Sequence, residues 1–156
     1  MKTQALLFLF AFILGCGQQN KMTTTYNHPQ KPEIQTALNE MLKQPTNGFL
    51  IIEDSKTKKF IQFYNENGLI LIDLPKIALT KDEYPLAKKY FSKCGINLKQ
   101  VESKDPETGK HFICSSWTKA SPPDQINNTI NIALGALFEI YALTETNSLH
   151  LIKGWK

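Results

Sequence analysis

The 156 residues hold 18 cationic side chains, every one of them lysine, against 14 carboxylates, for a formal charge of +4. Bidentate grips on phosphate or carboxylate lean on arginine, so its absence, without any basic stripe interleaved with aromatics, speaks against nucleic-acid binding. With 42% hydrophobic residues, the length and composition suit one domain with a real core.

The chain opens MKTQALLFLFAFILGC. Lys2 supplies a positive n-region, and Ala5 to Leu14 form an apolar run of about ten residues, half of what crossing a bilayer takes. That run suits a signal-peptide h-region. Ile13-Leu14-Gly15-Cys16 then resembles the lipobox of bacterial lipoproteins, an aliphatic residue three before an obligatory cysteine, although Leu14 is larger than the residue usual at its place. The resemblance implies loss of residues 1–15 and a diacylglyceryl chain on the Cys16 thiol. Two or more acyl chains make a stable membrane anchor. By resemblance to the lipoproteins of diderm bacteria, Gly17 in place of an Asp after the cysteine implies a lipid-anchored place in the cell envelope at the outer membrane, with a monoderm surface as the alternative. Losing Lys2 lowers the charge to +3.

Gly17 to Lys31 (GQQNKMTTTYNHPQK) is polar, nearly free of aliphatic residues and aperiodic. Residues 16–31 therefore read as the lipidated cysteine and a disordered tether, ahead of a single domain at 32–156. Such a tether averages about 20 Å end to end and reaches roughly 50 Å when extended.

Ile34, Ala37, Leu38, Met41 and Leu42 recur on one helical face, and Pro45 with Asn47-Gly48 ends that helix. Strand-like runs follow at Phe49 to Glu53, Lys59 to Tyr64 and Leu69 to Leu74. Asp54 to Lys58 makes the first turn, and Asn67-Gly68 predicts a tight hairpin. A second helix carries Leu86, Tyr90, Phe91 and Cys94 on its apolar face, with Gly95 as its C-terminal cap. Thr80 and Glu83 have capping-box spacing, but Asp82 is the preferred N-cap because it leaves Pro85 in the first turn. Strands four and five are Ile96 to Glu102 and Lys110 to Trp117, joined by Asp105-Pro106-Glu107-Thr108-Gly109. In the last helix Ser121 is the N-cap and Pro122 the first helical residue, with Asp124 three beyond the cap; it runs to about Leu143. Leu149 to Trp155 is either a short strand or a loosely packed tail. The order α-βββ-α-ββ-α predicts an α+β domain, an antiparallel sheet with flanking helices.

With Cys16 lipidated, Cys94 and Cys114 are an even pair in an oxidising compartment. They are either a disulfide or two buried thiols acting as small hydrophobes. His28 falls in the tether, His111 on strand five and His150 in the tail. His111 and Cys114, three apart on one strand, point to opposite faces, so no metal site is expected. Gly109-Lys110 lacks the flanking residues of a phosphate loop, and no cofactor is expected. Ser115 and Ser116 stand near His111 without a strained turn, so no catalytic residue is assigned. Asn127-Asn128-Thr129 has the form of a glycosylation sequon by chance.

Recognition is better supported. Ile130 to Leu143 (INIALGALFEIYAL) carries one charge, Glu139, and is apolar nearly all round, whereas a surface helix keeps a polar side. Its second side needs cover from the first helix, a second protomer or a client segment. For the last two, the candidate interface is Ile132, Ala136, Phe138 and Ile140, with Gly135 and Ala136 allowing close backbone approach. Phe49-Leu50-Ile51-Ile52 and Leu69-Ile70-Leu71-Ile72 also lack clean alternation, as strands covered on both faces do.

Over roughly residues 32–143, the element order, the run GFLIIEDSKTKKFIQFYNENGLILIDLP, the helix DEYPLAKKYFSKCGI and the ending FEIYAL resemble class I type III secretion chaperones and the YbjN-like proteins. The resemblance implies homodimers that bind extended or amphipathic segments of partner proteins. Those chaperones work in the cytoplasm and this chain carries an export signal, so what carries over is the fold and not the escorting of secreted effectors. The expected function is a non-catalytic, lipid-anchored module binding an envelope protein or itself. An immunity or exclusion lipoprotein acting against a toxin or a conjugation apparatus is a second reading. A small hydrolase using residues such as His111 and Ser115 is a third.

Overall fold

The computed structural model describes residues 24–44, 48–104 and 108–155. The lipobox-like segment and Cys16 lie outside them, as do positions 45–47, where the first helix was expected to be broken. The elements run α1 (Lys31–Leu42), β1 (Phe49–Asp54), β2 (Phe60–Glu66), β3 (Leu69–Pro75), α2 (Glu83–Lys93), β4 (Leu98–Lys104), β5 (His111–Ser121), α3 (Ile126–Tyr141) and β6 (Leu149–Lys153). This is the expected α+β class and order, with the tail adding a sixth strand. In space the antiparallel sheet is ordered β4-β5-β3-β2-β1-β6.

Local chemistry explains most boundaries. Asn67 and Gly68, at φ 53° and 83°, make the two-residue turn that sets Glu66 opposite Leu69. Gly95, at φ 68°, ends α2 in a Schellman arrangement: its N–H reaches the Ser92 carbonyl at 3.1 Å and the Ile96 N–H reaches the Phe91 carbonyl at 2.8 Å. At the start of α2 the expectation for Asp82 fails, because its side chain makes no capping bond. Thr80 and Glu83 form the capping box instead: the Thr80 N–H donates to Glu83 Oε2 at 2.8 Å and the Glu83 N–H to Thr80 Oγ1 at 3.3 Å. Pro85 is no obstacle, since the box spans the turn ahead of it.

The reading of Ser121 as a helix cap is also overturned. Ser121 is the last residue of β5 and pairs with Ile70. Each proline disfavours helical backbone in the residue before it, so Pro122 and Pro123 together hold Ser121 and Pro122 extended. Pro122 has ψ 160°, and α3 begins only after a short 3-10 turn at Pro123–Gln125.

Alternation then builds the core. Leu50, Ile52, Ile61, Phe63, Ile70, Ile72 and Leu74 all turn to one side of the sheet and join Ile34, Leu38 and Met41 of α1 and Ala133, Leu134 and Leu137 of α3. Each leucine, isoleucine, phenylalanine or methionine among them contributes about 1.5–3 kcal/mol on leaving water. On α2, Ala87, Tyr90 and Phe91 are buried, while Leu86 remains 45% exposed and is not part of the apolar face. Phe91 stacks on Trp117 of β5 at 5.5 Å, holding α2 over that end of the sheet.

The expected tether is shorter than its composition suggests. Tyr26 packs edge-on against Phe138 of α3 at 5.5 Å, and its hydroxyl donates to the Glu139 carboxylate. His28 is only 5% exposed; its Nδ1 accepts the Gln30 N–H at 3.1 Å and its Nε2 meets the Asn147 carbonyl at 3.2 Å. Gln30 bonds both backbone groups of Leu149, at 2.9 and 3.0 Å. Packed chain therefore begins at Tyr26, not Pro32.

Candidate docking face

The alternation that buries Leu50 and Ile72 sends every other strand residue to the opposite side of the sheet. Among the described residues no helix covers that side. Register places Ile152, Ile51, Gln62, Asp73 and Thr118 in one row across five strands, a span of about 19 Å. Beside it, Phe49, Tyr64, Leu71 and Ala120 form a second row. Phe112, Leu69 and Ile152 extend the apolar surface outward, at 49%, 36% and 41% exposure. The cover on both faces read from the continuous apolar runs of β1 and β3 is not supplied within the described residues: burial alternates along both strands, leaving one layer of helices and one bare, largely apolar sheet face.

Phe49 marks one border of this face. A Cβ at Gly154 would overlap the Phe49 ring, so the glycine is what lets the ring lie across β6. The Gly154 N–H also bonds the Phe49 carbonyl at 2.9 Å, continuing the strand pairing past β6.

At the middle of the face the surface is polar. Asp73 and Gln62 sit opposite each other on β3 and β2, the two central strands. Gln62 Nε2 donates to Asp73 Oδ2 at 2.6 Å, and the buried Ser116 hydroxyl donates to Oδ1. Burial, and after it the Asp73 charge, push the Tyr64 phenol above its ordinary range, against a hydrogen bond with Gln62. Thr118, opposite Asp73, has a buried hydroxyl with no hydrogen-bond partner among the described residues.

The residues singled out from sequence lie elsewhere. Ile132, Ala136 and Ile140 are buried within the chain's own core, and only Phe138 of that group is partly exposed. The cover that the helix needed comes from within the chain: α1 and α2 pack on α3, and Tyr26 packs on Phe138. Close approach at Gly135 is real but internal, because a Cβ there would overlap the Tyr90 hydroxyl and the Tyr26 ring. Of the two alternatives for Cys94 and Cys114, the disulfide is not formed. Cys94 caps α2 on the helix side, whereas Cys114 has the opposite parity to the buried Trp117 and faces the bare side. The sheet stands between the two thiols.

His111 Nδ1 meets Glu102 Oε1 at 2.9 Å on the exposed end of β5. Ser115 shares its face but lies four residues along the strand, about 13 Å away, so the two are not brought together. Among the described residues no group of three or more His, Cys, Asp or Glu side chains could hold a metal ion. Sequence reasoning missed the Gln62–Asp73–Ser116 cluster because its members lie on three strands. The available signal was the single acid in LILIDLP, the only charge in that apolar strand. Comparison with known protein families, curated proteins and solved structures finds no match to this chain.

Proposed function

We propose that this chain is a non-catalytic protein-binding module, held at a bacterial envelope by lipid on Cys16, and that the bare sheet face is where its partner docks. The observation that carries the reading is the apolar sheet surface that no helix covers among the described residues. Exposed apolar patches of this kind on a folded domain mark interaction sites. An extended partner segment turns alternate side chains to one side, and that side can lie on such a face. The anchor rests on the signal-like N-terminus and the lipobox resemblance. With Tyr26 packed on α3, the chain from Cys16 reaches at most about 35 Å, a shorter leash than composition alone implies.

Both parts are open to test in cells making the full chain. A photocrosslinking side chain at Leu71, on the face, should capture a discrete partner, while the same group at Lys88, exposed on α2, should not. Equal or absent adducts would retire the docking face. Metabolic palmitate label should enter the wild-type chain and vanish with Cys16→Ala; label that persists would retire the anchor.

A further inference from the structure

If the bare sheet face docks a partner, the chemistry of that partner is written into its centre. Asp73 is a partly buried carboxylate on β3 with Gln62 and Thr118 across from it, Leu71 two residues along its own strand, and Tyr64 and Ile51 on the same face of β2 and β1. Its hydrogen bonds come from two neutral donors, Gln62 and Ser116. A carboxylate offers about four acceptor sites, so this pair leaves capacity unused. The five ion pairs among the described residues all involve other acids. Lys99, opposite Ser116 on the edge strand and on the same side, is exposed and forms no bridge to Asp73.

Covering this face with purely apolar groups would desolvate a carboxylate that has no cation paired with it among the described residues. That is costly unless the incoming surface brings one. A second copy of the same face does not help, because a two-fold arrangement centred here would set one Asp73 against the other and add repulsion to the desolvation. A partner with a basic side chain at the matching position turns the penalty into an attraction. We infer, resting on the docking role proposed for this face, that it takes a polypeptide segment whose apolar side chains flank one lysine or arginine, and that this cation pairs with Asp73. Asp73 is then a specificity residue: the apolar side chains elsewhere on the face supply contact area, and the carboxylate selects which apolar segment fits.

The probe is a set of immobilised strand-forming peptides with alternating apolar residues, differing only in a central Lys, Arg, Gln or Glu. They are read with the labelled, detergent-solubilised full chain. Lys and Arg peptides should bind at least about tenfold more tightly than the Gln peptide, and the Glu peptide most weakly. Asp73→Asn should bring the Lys and Gln peptides level while leaving the apolar dependence in place. Wild-type protein supplies a check that needs no variant: raising salt should weaken the Lys peptide and leave the Gln peptide nearly unchanged. Peptides that bind alike whatever their central residue, or a Lys preference that survives Asp73→Asn, would overturn the inference while the docking face stands. Failure of every peptide would overturn it too, and the Leu71 crosslink would then decide the docking role separately. A tight dimer in sedimentation, dissociated by Ile51→Ser and blocking the peptides, would overturn it in favour of a second copy.

Discussion

Asp54 shows how one buried acid ties three segments together. Its carboxylate accepts the Thr57 N–H and hydroxyl, each at 2.7 Å, and the Asn147 side-chain amide at 3.1 Å. Asn147 in turn offers its carbonyl to His28, so the first β-turn, the loop before β6 and the N-terminal segment meet here. Burial pushes the Asp54 carboxyl up, but these hydrogen bonds outweigh burial and hold it below its ordinary range. A folded-state value below the unfolded one contributes stability that is complete above the unfolded pKa and is lost as pH falls through the folded one. Urea unfolding of the wild type should therefore weaken progressively below about pH 4, and Asp54→Asn should be less stable at pH 7 with a flatter acid limb. An unchanged acid limb in the variant would place the titration elsewhere. Ser121 is the opposite case: its hydroxyl is buried and has no partner among the described residues. Ser121→Ala removes that burden and should leave stability unchanged or raise it by about 1 kcal/mol, read from the urea midpoint.

Among the elements, α3 was legible as a helix needing cover on all sides, and the identity of the cover was not. Residues 26–30 supply part of it, and their composition hides this because Tyr26, His28 and Gln30 dock through single aromatic and polar contacts rather than an apolar stripe. Gly135 is the seat. In an ordinary helix interior Gly→Ala gains up to about 1 kcal/mol. Here the added methyl would meet Tyr90 and Tyr26, so Gly135→Ala should lose about 1–3 kcal/mol and speed hydrogen exchange across residues 24–30. A stabilised variant would show that the N-terminal segment does not sit there. The capping box of α2 and the Schellman end at Gly95 were both visible as residue spacing. Pro85 favoured Asp82 as the cap, yet a proline near the helix start does not decide which side chains bond the free N–H groups ahead of it.

For the whole molecule, the sheet divides the chain into a helix side and a bare side, and the cysteines fall on either side of it. Denatured protein should alkylate at both Cys94 and Cys114 without prior reduction. In the folded state Cys94 should react slowly, because burial pushes its thiol up, with the Tyr90 hydroxyl pulling it partly back. A peptide map with the two joined would contradict the topology.

The class, the order of elements and the helix-side core were legible along the chain, because periodicity, turn residues and caps act over a few neighbouring positions. The sequence could not decide what the apolar excess was for. Runs such as LILIDLP and INIALGALFEIY are equally apolar, and whether each is covered depends on elements far away in the chain. Tertiary structure buried α3 within the molecule and, among the described residues, left one side of the sheet bare. It also gathered Gln62, Asp73 and Ser116 from three strands onto that side, since strand register, a long-range property, is what brings such residues together.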